Sequence, residues 1–302
     1  MSDLQVEIGG LVLSNPLMLA SGIMGETGGL LARMGALGPG ALVTKSVGLE
    51  AREGYPNPTL IELPFGYINS MGLPNPGIGE FSGEMETAVS TGVPIVGSVF
   101  ASSPGDFAEL CHRMEGMGAS AVELNLSCPH AEGYGMEVGT DPSAVEGIVE
   151  ECVSSVDIPV FTKLTPNTEH LVEVARAVES AGGDAVVAVN TLKAMAISVD
   201  LRRPVLSHGT GGLSGPALRP VGLRCVYDLF EWIDIPIIGV GGVEDWRGAL
   251  EYIMAGATAV QIGSGVGRRG LEVFRETAHG LASYLDSVEE GGIAQLVGVA
   301  HD

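Results

Sequence analysis

The chain has 302 residues, 45% of them apolar, and a mean hydropathy of +0.31. That is enough for a sizeable core and excludes a disordered chain. Its 37 acidic and 15 basic residues leave a net charge of −22, which argues against nucleic acid and anionic membranes as partners because such a surface repels phosphate.

Composition leaves two readings of that charge open: adaptation to a high-salt cytoplasm, and an ordinary acidic surface. No run approaches about 18 consecutive apolar residues, so no membrane span is expected. The stretch Met1–Glu7 has no basic region followed by an apolar run, so no signal peptide is expected and a cytoplasmic location follows. The four cysteines, Cys111, Cys128, Cys152 and Cys225, form no CxxC pair. This excludes a self-contained zinc or iron–sulfur site of ordinary spacing.

In chain order, Val6–Leu13 is predicted to form a hairpin turning on Gly9-Gly10. Strands follow at Pro16–Ser21 and Ala41–Ser46, then a long connection, Val47–Val93. Next come strand Pro94–Phe100, helix Asp106–Met117, strand Ala121–Ser127, helix Ser143–Val153, strand Pro159–Thr165, helix Glu169–Ser180 and strand Ala185–Thr191. A second long connection, Leu192–Pro216, leads to helix Leu218–Trp232. Strand Pro236–Gly242, helix Trp246–Met254, strand Ala259–Ser264 and helix Leu271–Tyr284 complete the series. The strands are nearly all apolar in their first halves, as parallel strands covered on both faces are. Eight strands alternating with helices in a chain of this length predict an α/β fold, a (β/α)8 TIM barrel with an N-terminal β-hairpin and long loops at the C-terminal face. The chain reads as one domain, 1–302, with 286–302 as a C-terminal tail.

Polar residues crowd the ends of these apolar strands: Ser21, Lys45-Ser46, Ser98, Asn125, Lys163, Asn190-Thr191, Gly241-Gly242 and Gly263-Ser264. That is the face where barrel enzymes work, and a polar ligand there would satisfy them. The paired glycines after strands seven and eight suit a phosphate, since bare backbone N–H groups can approach it; plain turns are the competing reading. Two of the only three lysines, Lys45 and Lys163, lie in apolar strands, where lysine needs an anion or must snorkel to the rim. Cys111, Cys152 and Cys225 fall in helical patterns and read as core. Cys128 follows a strand end and precedes a proline, where its thiol can act as base or nucleophile. His112, His170 and His279 lie on helical patterns, while His208 and His130 lie in loops without an assigned role.

At Asn69-Ser70-Met71-Gly72-Leu73-Pro74-Asn75-Pro76-Gly77, Glu123-Leu124-Asn125-Leu126-Ser127-Cys128-Pro129, Lys163-Leu164-Thr165-Pro166-Asn167, Asn190-Thr191 and Gly211-Gly212-Leu213-Ser214-Gly215-Pro216 the chain resembles the class 1 dihydroorotate dehydrogenases, class 1B above all. The resemblance runs from Asn15-Pro16 to about Gly265. It implies an FMN enzyme of pyrimidine synthesis that oxidises (S)-dihydroorotate to orotate. FMN would meet Ser21, Lys45, Ser46, Ser98, Asn125, Lys163, Val189, Gly215, Gly241, Gly242, Gly263 and Ser264. Substrate would meet Lys45, Asn69, Ser70, Met71, Gly72, Leu73, Asn125, Asn190 and Thr191. Cys128 would be the base that takes the C5 proton, while the C6 hydride goes to flavin. No metal is implied.

Class 1B enzymes pass electrons to NAD through a second subunit carrying FAD and a [2Fe–2S] cluster. The resemblance thus implies a homodimeric core in a heterotetramer; the fumarate-using class 1A homodimer is the other form. Two departures stand out. Ser98 replaces a common asparagine, and His130 follows Ser-Cys-Pro where asparagine is usual. With Gly133-Tyr134-Gly135-Met136, that histidine is similar to the catalytic domain of dihydropyrimidine dehydrogenase, whose substrates lack the carboxylate. The rival readings are therefore a dihydrouracil-type activity, a tRNA dihydrouridine synthase (disfavoured by the net charge) and a flavin-binding module without catalysis.

Overall fold

The computed structural model describes residues 3–126 and 138–301. Eight parallel strands close into a barrel in chain order: Leu17–Leu19, Ala41–Val43, Ile95–Val99, Ala121–Asn125, Val160–Lys163, Ala185–Ala188, Ile237–Val240 and Ala259–Ile262. The eighth pairs with the first through Val260 and Leu17, so the sheet has no open edge. Each strand falls within its predicted run but ends earlier. The polar residues that close each run mostly lie beyond the ladder, on the C-terminal rim.

The N-terminal hairpin is present, with Val6 paired to Leu13 and Ile8 to Leu11. Gly9 and Gly10 both have positive φ, the turn geometry that matches the twist of two antiparallel strands. The hairpin covers the N-terminal end of the barrel. Ile8 and Leu13 are fully buried, and a Cβ on Gly9 would lie 2.6 Å from that of Asp184, just before strand six.

The six predicted helices form as Pro104–Gly116, Pro142–Ser155, Leu171–Ser180, Arg219–Phe230, Trp246–Met254 and Val273–Val288. Ser103, Asp141 and Asp245 cap three of them by accepting from backbone N–H groups of the first turn. Three helices lie outside the predicted set. Gly28–Gly35 opens on two glycines, Ser82–Val89 buries only Met85 and Ala88, and Ser264–Arg269 spans just six residues. Ser82–Val89 and Ser264–Arg269 carry no strong apolar stripe, and Gly28–Gly35, though it buries Leu31 and Met34, is short and opens on glycines that weaken a helical reading. The residues expected as a tail are tied down: Ile293 and Leu296 are buried, Ile293 N–H donates to Asp3 O, and His301 stacks on Tyr227.

The two long connections are not plain loops. Leu60–Leu63 and Gly66–Asn69 from the first pair with Gly211–Ser214 and Leu192–Ala194 from the second, in one antiparallel sheet over the C-terminal mouth. Gly211 and Gly212 suit the close approach. A Cβ on Gly211 would meet Asn69 O at 2.4 Å, and one on Gly212 would meet Thr191 Oγ1 at 2.0 Å. Among the described residues, no helix is long and apolar enough to cross a membrane.

Candidate active site

A cavity of about 620 Å³ opens at the C-terminal end of the barrel, beneath this sheet. Ser21, Lys45, Ser46, Asn125, Lys163 and Val189 line it from the barrel. Asn69, Met71, Gly72, Leu73, Asn190 and Thr191 line it from the connections, and Gly241, Gly242, Gly263 and Ser264 form one wall. Three expected contacts stand back from this lining. Ser98 is fully enclosed, 2.9 Å behind Ser46. Gly215 backs the glycine wall. Ser70 is buried with no hydrogen-bond partner for its hydroxyl. Cys128 and His130 lie outside the described residues.

The lysines do not snorkel: Lys45 is 9% exposed and Lys163 5%. Lys163 Nζ donates to Gln261 Oε1 at 2.9 Å and to Glu123 Oε1 at 3.4 Å, and Gln261 Nε2 donates to Glu123 Oε2 at 2.7 Å. Neither Glu123 nor Gln261 is among the predicted contacts, though each interrupts an otherwise apolar strand. The third lysine, Lys193, is exposed on the roof sheet.

The hydroxyls of Ser21, Ser46 and Ser98 form a chain at 3.2 and 2.9 Å, and Asn125 Nδ2 donates to Ser46 Oγ at 3.0 Å. This chain orients the Asn125 amide before any ligand arrives. On the roof, Gly72 and Leu73 both have positive φ. Asn75 holds their bend, donating to Leu73 O and accepting from Gly77 and Gly48 N–H groups. Tyr55 N–H donates to Met71 O, and the Tyr55 ring stacks on His208 with centroids 4.1 Å apart. His208 therefore supports the roof from outside. Asn167 donates to Thr191 O at 3.0 Å and to Thr165 Oγ1 at 2.9 Å, fixing the end of strand six. Tyr67, Leu60, Gly212 and Ser214 also face the cavity, residues that only the pairing of the two connections reveals.

The glycine wall is built for close approach. Gly241 and Gly242 have φ of +134° and +69°. A Cβ on Gly242 would lie 2.5 Å from Gly215 O and 3.0 Å from the Arg219 Cβ. Tyr252 O–H donates to Gly241 O at 2.9 Å, and burial pushes this phenol well above its usual pKa. Gly242→Ala is expected to lower the unfolding free energy by about 1–3 kcal/mol, the usual range for overpacking. Urea denaturation checks this, and an unchanged midpoint would mean that the wall yields freely.

The other three cysteines are poor candidates for chemistry. Cys111, Cys152 and Cys225 are fully buried. A hydrogen bond with Cys152, then burial, raises the Cys111 pKa far above the thiol range, and burial raises that of Cys225.

The sequence model of the family described as dihydroorotate dehydrogenase matches residues 3–285. The protein named "dihydroorotate dehydrogenase B (NAD(+)), catalytic subunit" of Methanocella arvoryzae is 48% identical over 293 residues, 97% of this chain and 96% of that one. The proteins of the same name from Pyrococcus furiosus and Thermoplasma volcanium are 47% and 48% identical, each over 99% of both chains. A match that spans nearly all of the barrel places this chain in the dihydroorotate dehydrogenase family, among its B-type catalytic subunits.

Proposed function

We propose that the protein oxidises (S)-dihydroorotate to orotate in the cytoplasm, as a step of pyrimidine synthesis, with FMN in the barrel mouth. The observation that carries this reading is the pair of buried lysines, Lys163 and Lys45, lining one cavity. Two buried ammonium groups in one cavity, only one of them beside the Glu123 carboxylate, suit anionic partners, here a flavin that gains negative charge on reduction and a carboxylate substrate. The residues present fit FMN: bare glycine backbone at Gly241-Gly242 for a phosphate, an amide and hydroxyl row along Ser21, Ser46 and Asn125, and a lysine at the floor.

When bound, FMN supplies a two-electron acceptor for the hydride leaving C6. The remaining work falls to the chain. Lys45, with backbone N–H groups near Met71-Gly72-Leu73, holds the carboxylate. Asn69, Asn125, Asn190 and Thr191 read the ring amides, and Val189, Gly263 and Ser264 complete the flavin contacts. Ser98 and Gly215 act from behind the lining, and Ser70 offers an unpaired hydroxyl. Cys128 removes the C5 proton. Electrons leave through a second subunit with FAD and a [2Fe–2S] cluster; the relatives' name, an NAD(+) enzyme's catalytic subunit, supports the existence of a partner subunit. A homodimer of this chain forms the core of that heterotetramer.

The test is purification without added flavin, followed by assay of dihydroorotate beside dihydrouracil. Yellow protein that releases FMN and turns over dihydroorotate faster is expected. Colourless protein that takes up no FMN would overturn the reading, as would faster turnover of dihydrouracil.

A further inference from the structure

The cavity floor contains a charge that the proposed reaction leaves unused. Glu123 lies in the middle of barrel strand four with no exposed surface. Its Oε1 accepts from Lys163 Nζ at 3.4 Å and from Ser98 Oγ at 3.5 Å, and its Oε2 accepts from Gln261 Nε2 at 2.7 Å. Gln261 Oε1 accepts from Lys163 in turn, so strands four, five and eight close a triangle around the ammonium. Two of the three N–H donors of Lys163 are thereby directed into the floor, and one is left for a ligand in the cavity.

Stability alone does not account for this arrangement. Replacing a buried ion pair by well-packed apolar residues is often neutral or stabilising. The pair sits where its field acts on the cavity, in a low dielectric where charges are felt strongly.

Building on the FMN reading above, we propose that Glu123, held by Gln261, is a positioning residue that fixes the Lys163 ammonium and offsets its charge, thereby holding down the reduction potential of the bound flavin. A lone lysine beside a flavin favours the negative charge that reduction brings and so raises the potential. A carboxylate paired with that lysine opposes the effect. The flavin then keeps enough driving force to pass electrons to a low-potential acceptor such as NAD.

The experiment measures the midpoint potential of FMN in the full-length holoprotein by equilibration with indicator dyes. Glu123→Gln removes the charge and keeps the shape. It is expected to retain FMN and to shift the oxidised-to-reduced ratio at least tenfold toward reduced, about 30 mV for a two-electron couple. Glu123→Asp, which keeps the charge, is expected to stay close to wild type. Removing one partner of a buried pair can prevent folding, so a second comparison sets wild type against a variant with both charges gone. Glu123→Gln combined with Lys163→Gln removes a matched pair and is expected to stay close to the wild-type potential, whereas a Lys163 charge that Glu123 does not offset would leave the double variant well below it. An FMN-loaded Glu123→Gln variant with an unchanged or lowered potential, or a double variant shifted at least tenfold toward oxidised, would overturn this inference and leave the function standing. Wild-type protein that holds no FMN would overturn the function first.

Discussion

Replacing Cys128 with alanine is expected to lower kcat for dihydroorotate at neutral pH by about 10²–10⁴-fold, the usual worth of a positioned general base, while the protein keeps its FMN. Asn125 closes barrel strand four at the cavity, and Cys128 follows three residues later. A thiol with an ordinary pKa of about 8.5 supplies some thiolate near pH 7, and a serine hydroxyl supplies far less. Cys128→Ser should therefore be most impaired near neutrality and recover as pH rises. Rapid mixing of oxidised enzyme with dihydroorotate, followed by flavin bleaching, isolates the step. Bleaching at the wild-type rate would remove Cys128 from the mechanism. The other cysteines make natural controls, because each is enclosed within the helical layer.

Lys45→Ala is expected to reduce kcat/KM for dihydroorotate by roughly 10²–10³-fold, mostly through KM. Truncating one partner of a buried charge pair typically costs about 2–5 kcal/mol, and each 1.4 kcal/mol is tenfold. Lys45 is nearly as enclosed as a core residue, and a Cβ on Gly22 would lie 3.9 Å from its Nζ, so the ammonium sits among the cavity residues. Steady-state kinetics with dihydroorotate and dihydrouracil provide the check. The second substrate lacks the carboxylate and should lose far less. Equal losses for both would mean that Lys45 serves the flavin and not the substrate's anionic end.

The barrel was legible because its strands are sheltered on both faces. Ala185–Ala188 has only apolar side chains, and such runs separated by amphipathic helices leave few alternatives. The strand-end residues were legible for the converse reason, since lysine and asparagine stand out against apolar runs. The roof sheet was not. Gly66, Gly211 and Gly212 have low strand propensity, and their pairing joins segments more than a hundred residues apart, which no local pattern encodes. Tyr67 and Ser214 therefore carry no local signal as cavity residues. Glu123 and Gln261 carried a visible signal, a polar residue inside an apolar run, but their convergence on Lys163 depends on barrel closure. Ser98 shows the opposite error of scale: it follows the strand-end pattern, yet its inward position puts it one hydrogen bond behind the lining.

The roof sheet grows from barrel strands two and six, which stand diametrically opposed in a ring of eight. A crossbar seated on two facing abutments resists tilting about either one. The gap between it and the barrel floor is consequently set by the frame and not by whatever occupies it. Two flat molecules stacked in that gap would be pressed to a constant separation, which is the geometric requirement for passing a hydride from one face to the other.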